Sequence, residues 1–297
     1  MLKPIVKWAG GKRQLLPHLR ARLPLLDWSI ASYYEPFVGG GALLFAVCPV
    51  RAVINDINED LINVYRVVQQ HPEELISILS THQNTENYYY EVRSWDRDRV
   101  NYSKLSPIER AARTLYMNRT CFNGLYRVNS KGFFNVPFGK YCAIDFVQER
   151  KIRALSNYFQ SNEILMRQGD YTAALRHARA GDFVYFDPPY DVLSTTSSFT
   201  TYTIGGFGRE EQRRLAELFR ELDKRGVYVM LSNHATDFIM DLFQEYHIHH
   251  VKARRLINSV PSARGKIPEL IIMNYEPPPL GENLLSEQQE HVMALKI

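Results

Sequence analysis

Tyr33-Tyr34-Glu35-Pro36-Phe37-Val38-Gly39-Gly40-Gly41-Ala42-Leu43-Leu44-Phe45-Ala46 reads as strand, glycine turn and helix in succession. Residues 33–37 have the aromatic, apolar make-up of a short strand. Ala42 to Ala46 has helical composition, and the glycines between them let a ligand approach the backbone. That order opens a nucleotide-type βαβ unit. The next stretch, Arg51 to Asn55, predicts a second strand ending at Asp56, and Asn58 to Val68 predicts an amphipathic helix. Asp56 stands where such folds hold ribose hydroxyls, because one carboxylate can accept two hydrogen bonds from a diol. By itself the glycine turn suits dinucleotide, nucleotide and methyl-donor sites alike. Leu44 occupies the place of the third glycine of G-x-G-x-x-G, which disfavours a dehydrogenase. Upstream, Trp8-Ala9-Gly10-Gly11-Lys12 lacks the first glycine of a phosphate loop and has Arg13 in place of Ser or Thr, which disfavours an ATPase.

Further along, the pattern changes and then returns. From His71 to Ser161 the chain turns helical and basic, with helical periodicity over Pro107 to Asn118 and a turn at Asn129-Ser130-Lys131-Gly132 that suits a hairpin. Strand-like segments at Glu163 to Arg167, Phe183 to Phe186 and Val227 to Leu231 then alternate with helical ones at Arg209 to Lys224 and Ala235 to Phe243. Two closing strands are expected near His247 to Arg254 and Glu269 to Tyr275, before Pro277-Pro278-Pro279 breaks the pattern. The expectation is an α/β fold whose core, residues 1–60 and 162–276, is split by a mainly helical insert over 61–161 and followed by a tail, 277–297.

The 297 residues include 45% hydrophobic and 23% charged side chains, which excludes disordered and collagen-like classes. Cys48, Cys121 and Cys142 are an odd set with no CxxC, so neither a disulfide framework nor a metal site is expected. His247, His249 and His250 alternate along a strand and do not read as a metal cluster. The chain shows no membrane-length apolar run and no secretory leader, and a cytoplasmic location is expected. Charge is close to balanced, with 36 Lys and Arg against 32 Asp and Glu, but it is unevenly placed. Glu91 to Tyr141 holds ten bases against four acids, and Val251 to Lys266 holds five bases and no acid. Clustered positive charge with interleaved aromatics and amides suits nucleic acid, where cations neutralise phosphates, Arg and Asn read base edges, and rings stack. The Lys252 to Lys266 stretch, with Ser259-Val260-Pro261-Ser262, reads as a loop over the site or the DNA.

Asp187-Pro188-Pro189-Tyr190, at the end of a predicted central strand, carries the most specific chemistry. Two prolines fix the turn and remove two backbone donors, so the Asp187 carboxylate and the Pro188 carbonyl can present acceptors side by side. Accepting both hydrogens of an exocyclic amine helps draw its lone pair out of conjugation toward an electrophilic methyl. Tyr190 offers a ring on which an extruded base can stack.

With these motifs in order, the sequence resembles the Dam-type (DpnM-like) site-specific adenine-N6 DNA methyltransferases of the alpha arrangement. The resemblance runs through Lys7-Trp8-Ala9-Gly10-Gly11-Lys12, Glu35-Pro36-Phe37-Val38-Gly39-Gly40-Gly41, Asn55-Asp56-Ile57-Asn58, Phe122-Asn123-Gly124-Leu125-Tyr126-Arg127, Phe134-Asn135-Val136-Pro137-Phe138-Gly139 and the DPPY box. It implies a Rossmann-like S-adenosylmethionine-dependent core with an inserted DNA-recognition subdomain. It implies Trp8, Lys12, Phe37, Gly39, Gly41, Asp56 and Asp187 at the cofactor, and Asp187, Pro188 and Tyr190 in catalysis. It further implies Lys7, Asn123, Leu125, Arg127, Pro137 and Tyr141 in or near base recognition, with Arg119 and Lys140 on phosphates. Phe122 stands where some relatives carry an intercalating Tyr, so stacking is retained and a hydroxyl contact is lost. The set suggests GATC as the site, methylated by base flipping and direct in-line transfer in double-stranded DNA. N4-cytosine methylation, RNA methylation and a catalytically silent DNA-binding module are the alternatives. A cognate restriction endonuclease without direct binding, and a monomer or weak dimer, complete the expectations.

Overall fold

The computed structural model describes residues 2–8, 10–12, 14–192, 207–254 and 266–279. Ala9, Arg13, most of the basic stretch Lys252 to Lys266 and tail residues 280–297 lie outside the described residues. After a short helix α1 (Leu16–Arg20), strand β1 (Ser32–Glu35) stops before Pro36, two residues earlier than the sequence suggests. Proline has no N–H to continue a ladder. Helix α2 (Leu44–Val47) closes one turn later at Cys48, which takes a left-handed conformation before Pro49. Strand β2 (Arg51–Asp56) then pairs parallel with β1.

Helix α3 (Glu59–Gln70) starts at Asn58, whose side chain accepts the Leu61 N–H at 2.9 Å, and buries Leu61, Ile62, Val64, Tyr65, Val67 and Val68 along one stripe. The helical segment continues with α4 (Pro72–Thr81), α5 (Glu86–Ser94), α6 (Arg99–Lys104) and α7 (Pro107–Thr120). A Ser106/Glu109 capping box and Pro107 in the first turn begin α7. Residues 121–148 contain a 3-10 turn at Phe122–Gly124 and no strand, only the isolated bridges Cys121 to Phe138 and Val128 to Phe134. The expected hairpin is therefore a tight turn without strands, held by the Asn129 side chain, which accepts the N–H groups of Lys131 and Phe133.

This lack of a ladder explains a departure from the charge pattern. Arg93, Arg97 and Arg99 donate to the carbonyls of Val136, Phe134 and Lys131, supplying bonds that a sheet would have made. Arg113 is buried and pairs with Asp96 at 3.0 Å. Part of the basic region thus bonds to the subdomain's own backbone, Arg113 from within and Arg97 and Arg99 from exposed positions, while Arg127, Lys131 and Lys140 are likewise exposed.

Helix α8 (Glu149–Gln160) packs on α3 and leads into β3 (Glu163–Gln168). The chain then runs through α9 (Tyr171–Ala174), β4 (Phe183–Phe186), α10 (Arg209–Lys224), β5 (Tyr228–His234), α11 (Asp237–Leu242), β6 (His247–Arg254) and β7 (Lys266–Met273). The sheet order is β3-β2-β1-β4-β5-β7-β6, with β7 antiparallel to both neighbours and the other pairings parallel. Successive side chains on a strand take opposite faces. Phe183 and Tyr185 join the buried cluster under α3, α7 and α8, whereas Val184 and Phe186 join the one under α10 and α11. Both faces are covered, as the nearly continuous apolar strands require. This is the expected Rossmann-like α/β core.

Candidate functional site

The strand order reverses between β1 and β4, and the carboxyl ends of strands at such a switch point form the natural ligand crevice of an open α/β sheet. The glycine turn leaves β1 there, Asp56 ends β2, and the DPPY turn leaves β4. Tyr34 pairs with Val53 on one side and Val184 on the other. The same register carried beyond the strands sets Phe37, Asp56 and Asp187 level.

Backbone chemistry shapes the side of this crevice formed by β1 and β2. Asp56 accepts the Gly39 N–H on Oδ2 at 3.0 Å and the Asn58 N–H on Oδ1 at 2.9 Å, and burial pushes its carboxyl up to about 6. Each oxygen retains a lone pair for a further donor, as a vicinal diol needs. Gly39 and Gly41 have positive φ, and a Cβ on Gly39 would lie 2.9 Å from the Trp8 ring. Trp8 is thereby seated on the turn, and its ring stacks on Tyr126 at 5.0 Å. Phe37 lies 4.9 Å from Tyr171 and 5.6 Å from Phe207, an aromatic wall suited to a flat heterocycle. These features fit a charged, amphipathic adenosyl group.

On the β4 side, Lys12 Nζ forms a 2.7 Å ion pair with Asp187 Oδ1, donates to the Gly10 carbonyl at 2.9 Å, and stands 4.3 Å from the Tyr190 ring centre. Burial works against the Lys12 charge, and the Asp187 carboxylate outweighs it, holding the ammonium above its usual value. Ser232 Oγ donates to the same Oδ1 at 3.1 Å. Both of these donors fall on Oδ1, so Oδ2 keeps lone pairs for a further donor. The Tyr190 hydroxyl donates to Glu269 at 3.3 Å, and its ring meets His234 edge-on.

Several of the residues expected to contact DNA gather around the end of α7. Asn118, almost fully buried, accepts the Lys7 N–H at 2.8 Å and donates to the carbonyls of Lys7 and Gly124. It thereby ties the first segment to the turn bearing Phe122, Asn123 and Leu125. Phe122 is 49% exposed, and Asn123 takes a left-handed conformation with its N–H on the Tyr141 hydroxyl. Lys7 Nζ stands 5.5 Å from the Tyr141 ring. Pro137 is exposed, and its carbonyl accepts the Phe122 N–H. Arg127 is exposed, its Nε bonded to Asn135 Oδ1 at 2.7 Å, while Arg119 reaches the Asp145 carbonyl at 3.4 Å. Lys140 is exposed and left-handed.

Sequence reasoning missed several polar residues that the tertiary structure brings to the site: Ser232, Asn233, Glu269 and Gln212. Gln212 left a trace, because it is the one amide on the buried stripe that Leu215, Ala216, Phe219 and Leu222 continue on α10. Glu269 and Ser232 sit in ordinary strand patterns and left none.

A doubly wound sheet with a glycine turn, an acid and a DPPY turn at its switch point defines a methyltransferase of the Rossmann-like class. Residues 8–257 match the D12 class N6 adenine-specific DNA methyltransferase family, and the chain belongs to that family. It is 49% identical over 92% of its length to the Type II methyltransferase M1.LlaDCHI of Lactococcus lactis subsp. cremoris, covering 96% of that protein. It is 41% identical to the Type II methyltransferase M.MjaIII of Methanocaldococcus jannaschii, over 92% of this chain and 99% of that one. The DNA adenine methylase of Escherichia coli is 34% identical over 93% of this chain and 96% of its own. The protein is an adenine-specific DNA methyltransferase, which sets aside the cytosine and silent-binder alternatives.

Proposed function

We propose that the enzyme transfers the methyl group of S-adenosylmethionine to N6 of an adenine flipped out of double-stranded DNA at GATC, with catalysis at the DPPY turn. What carries this is the convergence of Asp56, the Gly39 turn and Asp187 on the carboxyl ends of adjacent parallel strands. S-adenosylmethionine, when bound, supplies the electrophilic methyl. Trp8, Phe37, Gly39, Gly41 and Asp56 hold it, and Lys12 meets its charged end. Asp187 Oδ2 and the Pro188 carbonyl accept the two amine hydrogens, and Tyr190 stacks the base. Direct transfer to the nitrogen needs no covalent enzyme intermediate, and the amine proton leaves to Asp187 or to water. Positioning is the main contribution.

In this account residues 1–60 and 162–276 are the catalytic core and 61–161 the recognition insert. Lys7, Asn123, Leu125, Arg127, Pro137 and Tyr141 read bases, Arg119 and Lys140 contact phosphates, and exposed Phe122 wedges into the stack that the adenine leaves. Among the described residues no helix is long and apolar enough to cross a membrane. The enzyme works in the cytoplasm beside its DNA, as a monomer or weak dimer, alone or with a restriction endonuclease that it does not bind.

The test is transfer of labelled methyl from S-adenosylmethionine to duplexes that differ only in one GATC site against GTAC, followed by nucleoside analysis. Label in N6-methyladenine from the GATC duplex alone is expected. Label from both duplexes discards the site, and label from neither discards the cofactor or the duplex substrate.

A further inference from the structure

The DPPY turn is held from behind by two buried amides. Gln212 Nε2 on α10 donates to the Pro189 carbonyl at 2.9 Å, and Asn233 Nδ2 at the end of β5 donates to Gln212 Oε1 at 3.1 Å. Asn233 Oδ1 in turn accepts the N–H groups of Asp191 at 2.9 Å and His234 at 2.8 Å. Gln212 and Asn233 are both fully buried. A glutamine in the apolar stripe of an amphipathic helix is destabilising unless its amide is satisfied, and here both amide atoms are used.

The chain of bonds discriminates between the two proline carbonyls. Neither proline has an N–H, so the turn cannot fix its own peptide planes by a backbone ladder. Gln212 takes the Pro189 carbonyl and thereby sets the plane of that peptide. Asn233 fixes the next one through Asp191. Among the described residues no donor is bonded to the Pro188 carbonyl, which is left for substrate.

We infer that Gln212 and Asn233 are positioning residues for methyl transfer, orienting the Pro188 carbonyl and Asp187 toward the amine by clamping Pro189 and Asp191. This rests on the DPPY turn being the catalytic element, as proposed above. Both side chains are fully buried behind the turn, with no surface for a ligand to meet, so loss of the clamp slows the chemical step and leaves binding alone.

Single-turnover methyl transfer by the full-length enzyme, with equilibrium binding of cofactor and of duplex, tests it in four variants. Gln212→Met keeps the length and apolar packing and removes the donor. It is expected to slow transfer about tenfold or more, with both dissociation constants within about threefold of wild type. Leu215→Val, on the same buried stripe, loses packing alone and is expected to keep the wild-type rate. Gln212→Glu can donate to Pro189 only as the neutral acid. Relative to wild type it is expected to be active near about pH 6 and to fall toward Gln212→Met near about pH 9. A Gln212→Met rate equal to that of Leu215→Val, or cofactor affinity lost in proportion to rate, overturns the clamp. If Gln212→Met does not fold, a pH-independent ratio of Gln212→Glu to wild type overturns it instead. Asp187→Ala separates this failure from the larger one: it is expected to abolish transfer, and near-normal turnover there overturns the catalytic assignment and the clamp with it.

Discussion

At the scale of single residues, the proposed cofactor side of the crevice depends on atoms that are absent as much as on those present. Gly39 has φ +46°, and its Cβ would meet the Trp8 ring at 2.9 Å. Gly39→Ala must both adopt a left-handed conformation, costing about 1–2 kcal/mol, and push Trp8 from its seat. The expected outcome is a lower melting temperature together with at least about tenfold weaker S-adenosylmethionine binding by Trp fluorescence. Unchanged affinity would remove Trp8 and the turn from the cofactor site. Asp56 makes a second prediction. Its carboxyl, pushed up to about 6 by burial, accepts two hydroxyls only when ionised. Cofactor affinity is therefore expected to weaken as pH falls through that value, by up to about tenfold per unit below it, and Asp56→Asn to bind weakly with a flat profile. A wild-type affinity that stays flat from about pH 5 to pH 7 would contradict the ribose role.

At the scale of elements, the Asn118 amide ties α7 to the site. Asn118 binds Lys7 on both backbone atoms and also the Gly124 carbonyl, so the last turns of α7 set the height of the segment that bears Phe122, Asn123 and Leu125. Asn118→Ala removes three hydrogen bonds to the backbone, one of them fully buried, and is expected to cost about 2–4 kcal/mol in urea denaturation. Duplex binding should weaken more than cofactor binding. Equal weakening of both would show that the pin supports the whole crevice. The helical run of α7 and its start at Ser106-Pro107 were legible in the sequence, because capping and periodicity are local. The Arg113 side chain was not. It belongs to a basic cluster in sequence, yet it turns inward to Asp96 and the carbonyls of Val92 and Arg93.

At the scale of the whole molecule, opposing buried groups set the response to pH. Glu35 ends β1 deep in the core, and burial pushes its carboxyl up to about 8 despite a 2.7 Å hydrogen bond from Tyr33. Between the model-peptide value of 4.5 and about 8 the folded chain holds a proton there that the unfolded chain has released, so Glu35 lowers stability as pH rises across that window. His82 acts at the other end. It is buried against Tyr88 and Tyr116, and desolvation lowers it from 6.5 to about 4. The unfolded chain takes up that proton first, so stability falls as pH drops from 6.5 to about 4. In urea titrations Glu35→Gln is expected to gain on wild type progressively toward about pH 8, and His82→Gln toward about pH 4. Parallel profiles for variant and wild type would show that the group in question does not govern its limb.

The amino-acid order by itself determined the strands, the glycine turn, the acid after the second strand, the DPPY turn and their succession. Each of these is written in residue types within a few positions of one another, where steric preference and hydrophobic period act. Only the tertiary structure decided that Lys12 pairs with Asp187, that Arg113 faces inward, and that Gln212 holds Pro189. Those partners are far apart in the chain, and a buried charge or amide takes whichever partner the packed core brings within about 3 Å, because leaving it without one is costlier than any local preference.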